Sequence, residues 1–265
     1  MPAFQPGQIR NVAVVGHRGT GKTSLVEAML FQSGATNRLG TVEAGTTVAD
    51  WDEDEQRRQM SLAASLCHVE WQGRKINLVD TPGDSGFQAD TIAGLHVVEG
   101  ALVVVSAVMG VEVNTSRVWK RAEALELSRV VFVNMLDRER ADFFRTLEAL
   151  RAQISDRCVA VQLPIGAEHE LTGIVDLLHM CAYMDPSGGR EGGPQPIPDS
   201  MSDVVQEHRE KLLEGAVEVG ALAVEHVDED DARQPEALGA APVARGLHLH
   251  AHDSADRDER ALHDV

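Results

Sequence analysis

Gly16, Gly21, Lys22 and Thr23 stand at the spacing G-x-x-x-x-G-K-[ST], with His17, Arg18, Gly19 and Thr20 between them and Ser24 after. The chemistry that such a stretch can do is phosphate binding. Glycines at 16, 19 and 21 let backbone N–H groups turn inward around an anion. Lys22 carries an ammonium that can reach β- and γ-phosphates, and the Thr23 hydroxyl can ligate Mg²⁺. A second stretch, Asp80-Thr81-Pro82-Gly83-Asp84, has the acid that a phosphate-loop protein places at a strand end to hold the metal, and a glycine whose N–H can approach a γ-phosphate. A third, Asn134-Met135-Leu136-Asp137, has an Asn and an Asp after an apolar run; read alone, that pair serves equally well as turn punctuation.

These groups need elements to hold them. The apolar run 11–15 reads as a buried strand, and 23–32 as a helix with Leu25, Val26, Met29 and Leu30 on one face. Its N-terminus adds partial positive charge at the phosphate loop. Residues 35–59, rich in Gly, Thr and charge, read as a mobile surface loop. Strands are expected over 61–71 and 75–80 with a tight turn at Gln72-Gly73-Arg74. Helices over 87–99, 114–127 and 142–154 alternate with strands at 101–105, 130–133 and 159–161, which predicts an α/β fold with a doubly wound, mostly parallel sheet. Each motif falls at the C-terminal end of a strand, where such sheets bind ligands. A helix is expected over 202–218. Residues 186–198 read as a Gly- and Pro-rich loop, and the run Asp228 to Asp231 as a solvated acidic patch. His248, His250 and His252 alternate, but spacing alone does not make a metal site.

Composition sets limits. At 265 residues and 43% hydrophobic content the chain can bury a core, built from aliphatic side chains since aromatics are 4%. A net charge of −18 argues against a broad, sequence-independent grip on nucleic acid; no sequence-specific DNA binding is expected either. Cys67, Cys158 and Cys181 form no C-x-x-C pair, which suits a reduced compartment. With no apolar leader and no run of 18 apolar residues, a cytoplasmic protein without membrane partners is expected.

Taken in order, these motifs resemble those of the translational GTPases, and elongation factor G and its paralogues in particular. The segment from Asp50-Trp51 to Gln59-Met60-Ser61-Leu62 belongs to the likeness. So do Gln162-Leu163-Pro164-Ile165-Gly166 and Gly173-Ile174-Val175-Asp176-Leu177-Leu178, which look like the start of that family's inserted subdomain. The resemblance implies a P-loop GTPase fold with an inserted α+β subdomain. An N-terminal tail (1–9) would precede a GTP-binding domain (10–160) and the insertion (161–245), with a return to the first domain over 246–265. It implies GTP and GDP as ligands, Mg²⁺ as cofactor and the ribosome as partner. Nucleotide contacts would come from Gly16 to Ser24, Asp80 to Asp84, Asn134, Met135, Leu136 and Asp137, and from Ser254 and Ala255 near the end. Thr23, Ser61 and Asp80 would hold the metal. Lys22 would stabilise transition-state charge, and Asp84 would occupy the place that positions the attacking water. The Asp137 carboxylate would accept the N1 and N2 hydrogens of guanine, which adenine would leave unpaired.

Three positions depart from that family's pattern. Met135 replaces a Lys beside the guanine, keeping an apolar stem without the charge. Ser61 replaces a Thr, with Gln59 where a Gly is usual two places earlier. Asp84 replaces a His and brings negative charge towards the γ-phosphate. Slow GTP hydrolysis is expected in consequence. A catalytically weak switch that orders residues 35–65 on binding GTP is the second reading, and a phosphate-loop ATPase or kinase a third, which the Asn134/Asp137 pair disfavours. Without the family's further domains, the chain is expected to be unable to drive translocation alone, as a truncated paralogue or a binding module would be.

Overall fold

A computed structural model describes residues 4–184 and 193–218 in two compact units. In the first, a five-stranded sheet has the order β2-β3-β1-β4-β5: β1 Ile9–Gly16, β2 Ser65–Trp71, β3 Arg74–Asp80, β4 Gly100–Ser106 and β5 Ser128–Asn134. β1, β3, β4 and β5 run parallel, and β2 is antiparallel to β3. The expected mixed α/β architecture with a mostly parallel sheet is therefore observed. Val14, Leu78, Leu102 and Val104 face α1 (Lys22–Gln32), packing with Leu25, Val26 and Leu30 in one cluster. Alternate residues Ala13, Val15, Val103 and Val105 are also fully or nearly fully buried. Helices α3 (Gln88–Leu95) and α4 (Val113–Ala124) pack against β1, so the central strands are covered on both faces, as their unbroken Val and Ala runs require. The strand order reverses direction at β1, whose neighbours β3 and β4 come from opposite sides. The crevice beyond its C-terminal end is thus a switch point, where open α/β sheets take ligands.

Gly16 ends β1 at φ 149°, and a Cβ there would lie 2.3 Å from the Val104 carbonyl oxygen. No side chain fits. Gly16→Ala is expected to lower stability by about 3 kcal/mol or more, measured by urea denaturation; a loss within about 0.5 kcal/mol would contradict this reading of the strand end.

Several boundaries differ from the sequence expectation. β2 starts at Ser65 and not at 61, because the N–H groups of Leu62 and Ala63 donate to Glu55 Oε1 (2.8 and 3.1 Å) and not to a neighbouring strand. The turn is Gln72-Gly73 alone, both left-handed (φ 47° and 69°), a pairing that suits a two-residue hairpin; Arg74 joins β3. α3 stops at Leu95, and Glu126 at φ 54° closes the turn after α4. Residues 159–161 are not a strand. Cys158 is tied to the helix before it through its carbonyl, which accepts from Arg151 Nε at 2.9 Å, and Val161 accepts a single bond from Leu177.

The second unit starts at Leu136. Its sheet is antiparallel, order β6-β7-β8, from β6 Gln162–Ile165, β7 Gly173–Asp176 and β8 Cys181–Met184. Helices α5 (Phe143–Gln153) and α6 (Ser202–Glu218) contribute Leu147, Val205 and Leu212 to a core with Leu163, Val175, Leu177 and Ala182. Residues 228–231, the three alternating histidines, Ser254 and Ala255 lie outside the described residues. No helix among those described is long and apolar enough to cross a membrane. Burial first, then the charges of Asp80 and Glu27, pushes the Cys67 thiol up to about 11.

Candidate functional site

The loop from Gly16 to Gly21 joins the end of β1 to the start of α1, and its residues fix one another. The His17 carbonyl accepts from Thr20 Oγ1 at 2.9 Å and from Lys22 Nζ at 3.0 Å. Gly21, the N-cap of α1, is left-handed at φ 82°, and a Cβ on it would meet Asn134 Nδ2 at 2.4 Å. Asn134 stands at the end of β5. Its amide donates to the Thr20 carbonyl at 2.8 Å, and its Oδ1 accepts from the Met135 N–H at 2.8 Å. This residue therefore braces the loop from the neighbouring strand end.

Around the loop, Arg18, Gly19, Gly21, Lys22, Thr23, Ser24, Ser61, Gly83, Asp84 and Met135 line one cavity. Val42, Glu43, Asp50, Gln59 and Met60 line it too. Behind it, Asp80 and Thr81 are almost wholly buried. The Thr81 hydroxyl donates to the Val14 carbonyl at 2.8 Å, pinning β3 to β1. The Pro82 carbonyl accepts from Thr91, and the Gly83 carbonyl from Asn114 Nδ2 at 3.0 Å, so this turn is anchored from α3 and α4. Gly83 lies hard against Lys22: a Cβ there would be 2.3 Å from Nζ. Leu136, which is buried, and Asp137, half-buried in a turn, belong to the second unit.

Three residues expected to hold a metal converge. Thr23 Oγ1 donates to Asp80 Oδ2 at 2.7 Å and lies 3.1 Å from Ser61 Oγ. Ser61 also hydrogen-bonds Asp50. Asp80 Oδ1 is buried with no side-chain donor on it among the described residues. No cluster of three His, Cys, Asp or Glu occurs among those residues. The set is all oxygen, with few carboxylates, and fits Mg²⁺ carried in on phosphates better than it fits a softer ion.

Electrostatics agree with a site made for an anion and a cation together. Burial depresses the Lys22 ammonium, against the opposing pull of Asp80 and Asp50. Burial pushes the Asp80 carboxyl up to about 7, more than Lys22 and the Thr23 hydroxyl pull it back. Unfolded, this group would return to its ordinary 3.8, so the folded, metal-free protein holds its proton more tightly. The stability that this contributes is whole below about pH 4 and is lost as the pH rises through about 7. The melting temperature of metal-free protein is expected to fall between about pH 5 and pH 8, and Asp80→Asn to flatten that fall. A melting temperature that rises over this range with the same slope in both proteins would contradict the assignment.

Sequence reasoning missed the acids that fold residues 35–59 onto the site. The segment is not the unanchored loop that its composition suggests. Glu27 of α1 is buried, and its Oε1 accepts from the N–H groups of Val48 and Ala49. Asp50, 3% exposed, is thereby held beside Ser61. Helix α2 (Glu53–Arg58) starts with a capping box between Asp52 and Glu55, a D-x-x-E signal that was there to be read. Gln59 closes the helix at φ 51°, the left-handed geometry that a glycine would adopt more easily.

Residues 7–240 match the family model of the elongation factor Tu GTP binding domain. A crystal structure of a protein from Thermus thermophilus is 32% identical with a TM-score of 0.75, over 92% of this chain and 36% of that one, so this chain spans little more than a third of that protein's length.

Proposed function

The chain belongs to the elongation factor Tu GTP-binding domain family, a GTP-binding domain of the translational GTPase type, and from that premise we propose that it binds GTP and GDP at the end of β1, hydrolyses GTP slowly, and does so in a translation-related role of the elongation factor G kind. The observation that carries this is the convergence of Lys22, Thr23, Ser61 and Gly83 on one cavity at the switch point of the sheet, with Asp80 behind it hydrogen-bonded to Thr23.

In this reading the loop N–H groups and the α1 N-terminus hold the phosphates, and Lys22 neutralises charge on the β- and γ-oxygens. Thr23, Ser61 and Asp80 would hold Mg²⁺, which would supply positive charge to the phosphates. The Gly83 N–H would approach the γ-phosphate, in a turn whose Gly83 carbonyl is anchored by Asn114 Nδ2. Asp84 stands where a water must be oriented, and its negative charge opposes the attack. Asn134 and Asp137 support guanine over adenine, and Met135 covers the base with an apolar stem only. Met135→Lys is accordingly expected to tighten GDP binding by about threefold to tenfold; equal affinity in a titration would contradict it.

A second reading, a weakly catalytic switch, is favoured by Ser61 and Asp50 being held in the cavity by a segment anchored on Glu27 and Glu55. Phosphate release from GTP, measured with and without ribosomes, separates the two. Turnover that rises with ribosomes supports the enzyme in translation. Binding without turnover in either condition supports the switch.

A further inference from the structure

We infer that Arg18 makes Asp84 tolerable beside a γ-phosphate, and that by fixing this carboxylate Arg18 sets the preference of the site for GTP over GDP. This rests on the nucleotide-binding reading above and deepens it.

Arg18 Nη1 lies 3.8 Å from Asp84 Oδ2. Asp84 Oδ1 accepts the Gly86 N–H at 2.8 Å, capping the short 3-10 turn Ser85–Phe87. One carboxylate oxygen is therefore hydrogen-bonded by backbone, and the other lies within ion-pair distance of the guanidinium. The backbones are close as well: a Cβ on Gly83 would lie 2.6 Å from the Arg18 nitrogen and 2.3 Å from Lys22 Nζ. Arg18 and Asp84 line the same cavity as Lys22 and Gly83. The pair is half open to solvent, 56% and 33% exposed, and at that exposure it adds little to folding stability. Its consequence is local. Asp84 adds negative charge to the end of the cavity that receives the terminal phosphate, and a cation beside it cancels that charge where water screens it incompletely. GDP carries no phosphate there and has little to gain.

Arg18 is thus a positioning residue acting through Asp84, and a double-mutant cycle separates this from direct attraction between Arg18 and the phosphate. Calorimetric titration of the full chain with GTPγS and with GDP in Mg²⁺ would compare wild type, Arg18→Ala, Asp84→Asn, the double variant and Arg18→Lys, each checked for folding by circular dichroism. Arg18→Ala is expected to weaken GTPγS about tenfold and GDP less than about twofold. In the Asp84→Asn background the same change should cost less than about twofold on either nucleotide, and Arg18→Lys should keep most of the wild-type affinity. Equal loss of GTPγS affinity in both backgrounds, or equal loss of both nucleotides, would overturn the inference while leaving nucleotide binding intact. Wild type that is folded and binds neither nucleotide would instead remove the reading beneath it.

Discussion

Lys22→Ala is expected to weaken GTP binding by about a hundredfold or more. The side chain is buried, and its ammonium is held at 3.0 Å from the His17 carbonyl, inside the loop that surrounds the phosphate position. Asp80 and Asp50 are the charges that act on it there. Its removal takes an ammonium from the cavity lining and leaves Asp50 in that lining, with Asp80 buried behind it, near an incoming polyphosphate. The effect therefore combines a lost attraction with an uncovered repulsion, and in a buried site both are large. Circular dichroism would establish that the variant folds. A change in affinity of only a few-fold, with folding intact, would mean that the phosphates sit elsewhere.

Asp84→His is expected to raise the single-turnover rate of GTP hydrolysis by about tenfold or more. On the proposed function, Asp84 brings negative charge to the place where water would attack; one of its oxygens accepts the Gly86 N–H, and Arg18 lies 3.8 Å from the other. An imidazole removes the charge and can hydrogen-bond a water. The backbone around it is fixed independently, since the Pro82 and Gly83 carbonyls accept from Thr91 and Asn114. The exchange should thus alter chemistry more than it alters the turn. An unchanged or lower rate in a folded variant would show that something other than residue 84 limits hydrolysis.

What was legible in the sequence was whatever is written locally. Gly16 to Thr23 names its own geometry, because a phosphate loop is one continuous stretch between a strand and a helix. The runs Ala13-Val14-Val15 and Leu102-Val103-Val104-Val105 could only be strands covered on both faces. Asp80 was readable from its place at a strand end. What stayed hidden depends on contacts distant in sequence. Glu27 stands one helical turn beyond Thr23 on α1, and nothing near it in sequence announces that it will capture the backbone at Val48 and Ala49. Because of it, a polar segment that resembles an unattached loop is tied down, and Asp50 joins the cavity. Asn134 also braces the loop, its amide donating to the Thr20 carbonyl, a partner 114 positions away that no spacing rule supplies. Apolar content at 159–161 resembled a strand, yet pairing needs a neighbour, and Arg151 and Leu177 claim the carbonyls of Cys158 and Val161 instead.

The central claim is that the cavity at the end of β1 takes a magnesium-bound guanine nucleotide. Isothermal titration of the folded chain with GTP, GDP and ATP in Mg²⁺ tests it most directly. Both guanine nucleotides should bind at one site, with ATP weaker by about a hundredfold or more. No heat from any of the three, or ATP bound as tightly as GTP, would contradict it.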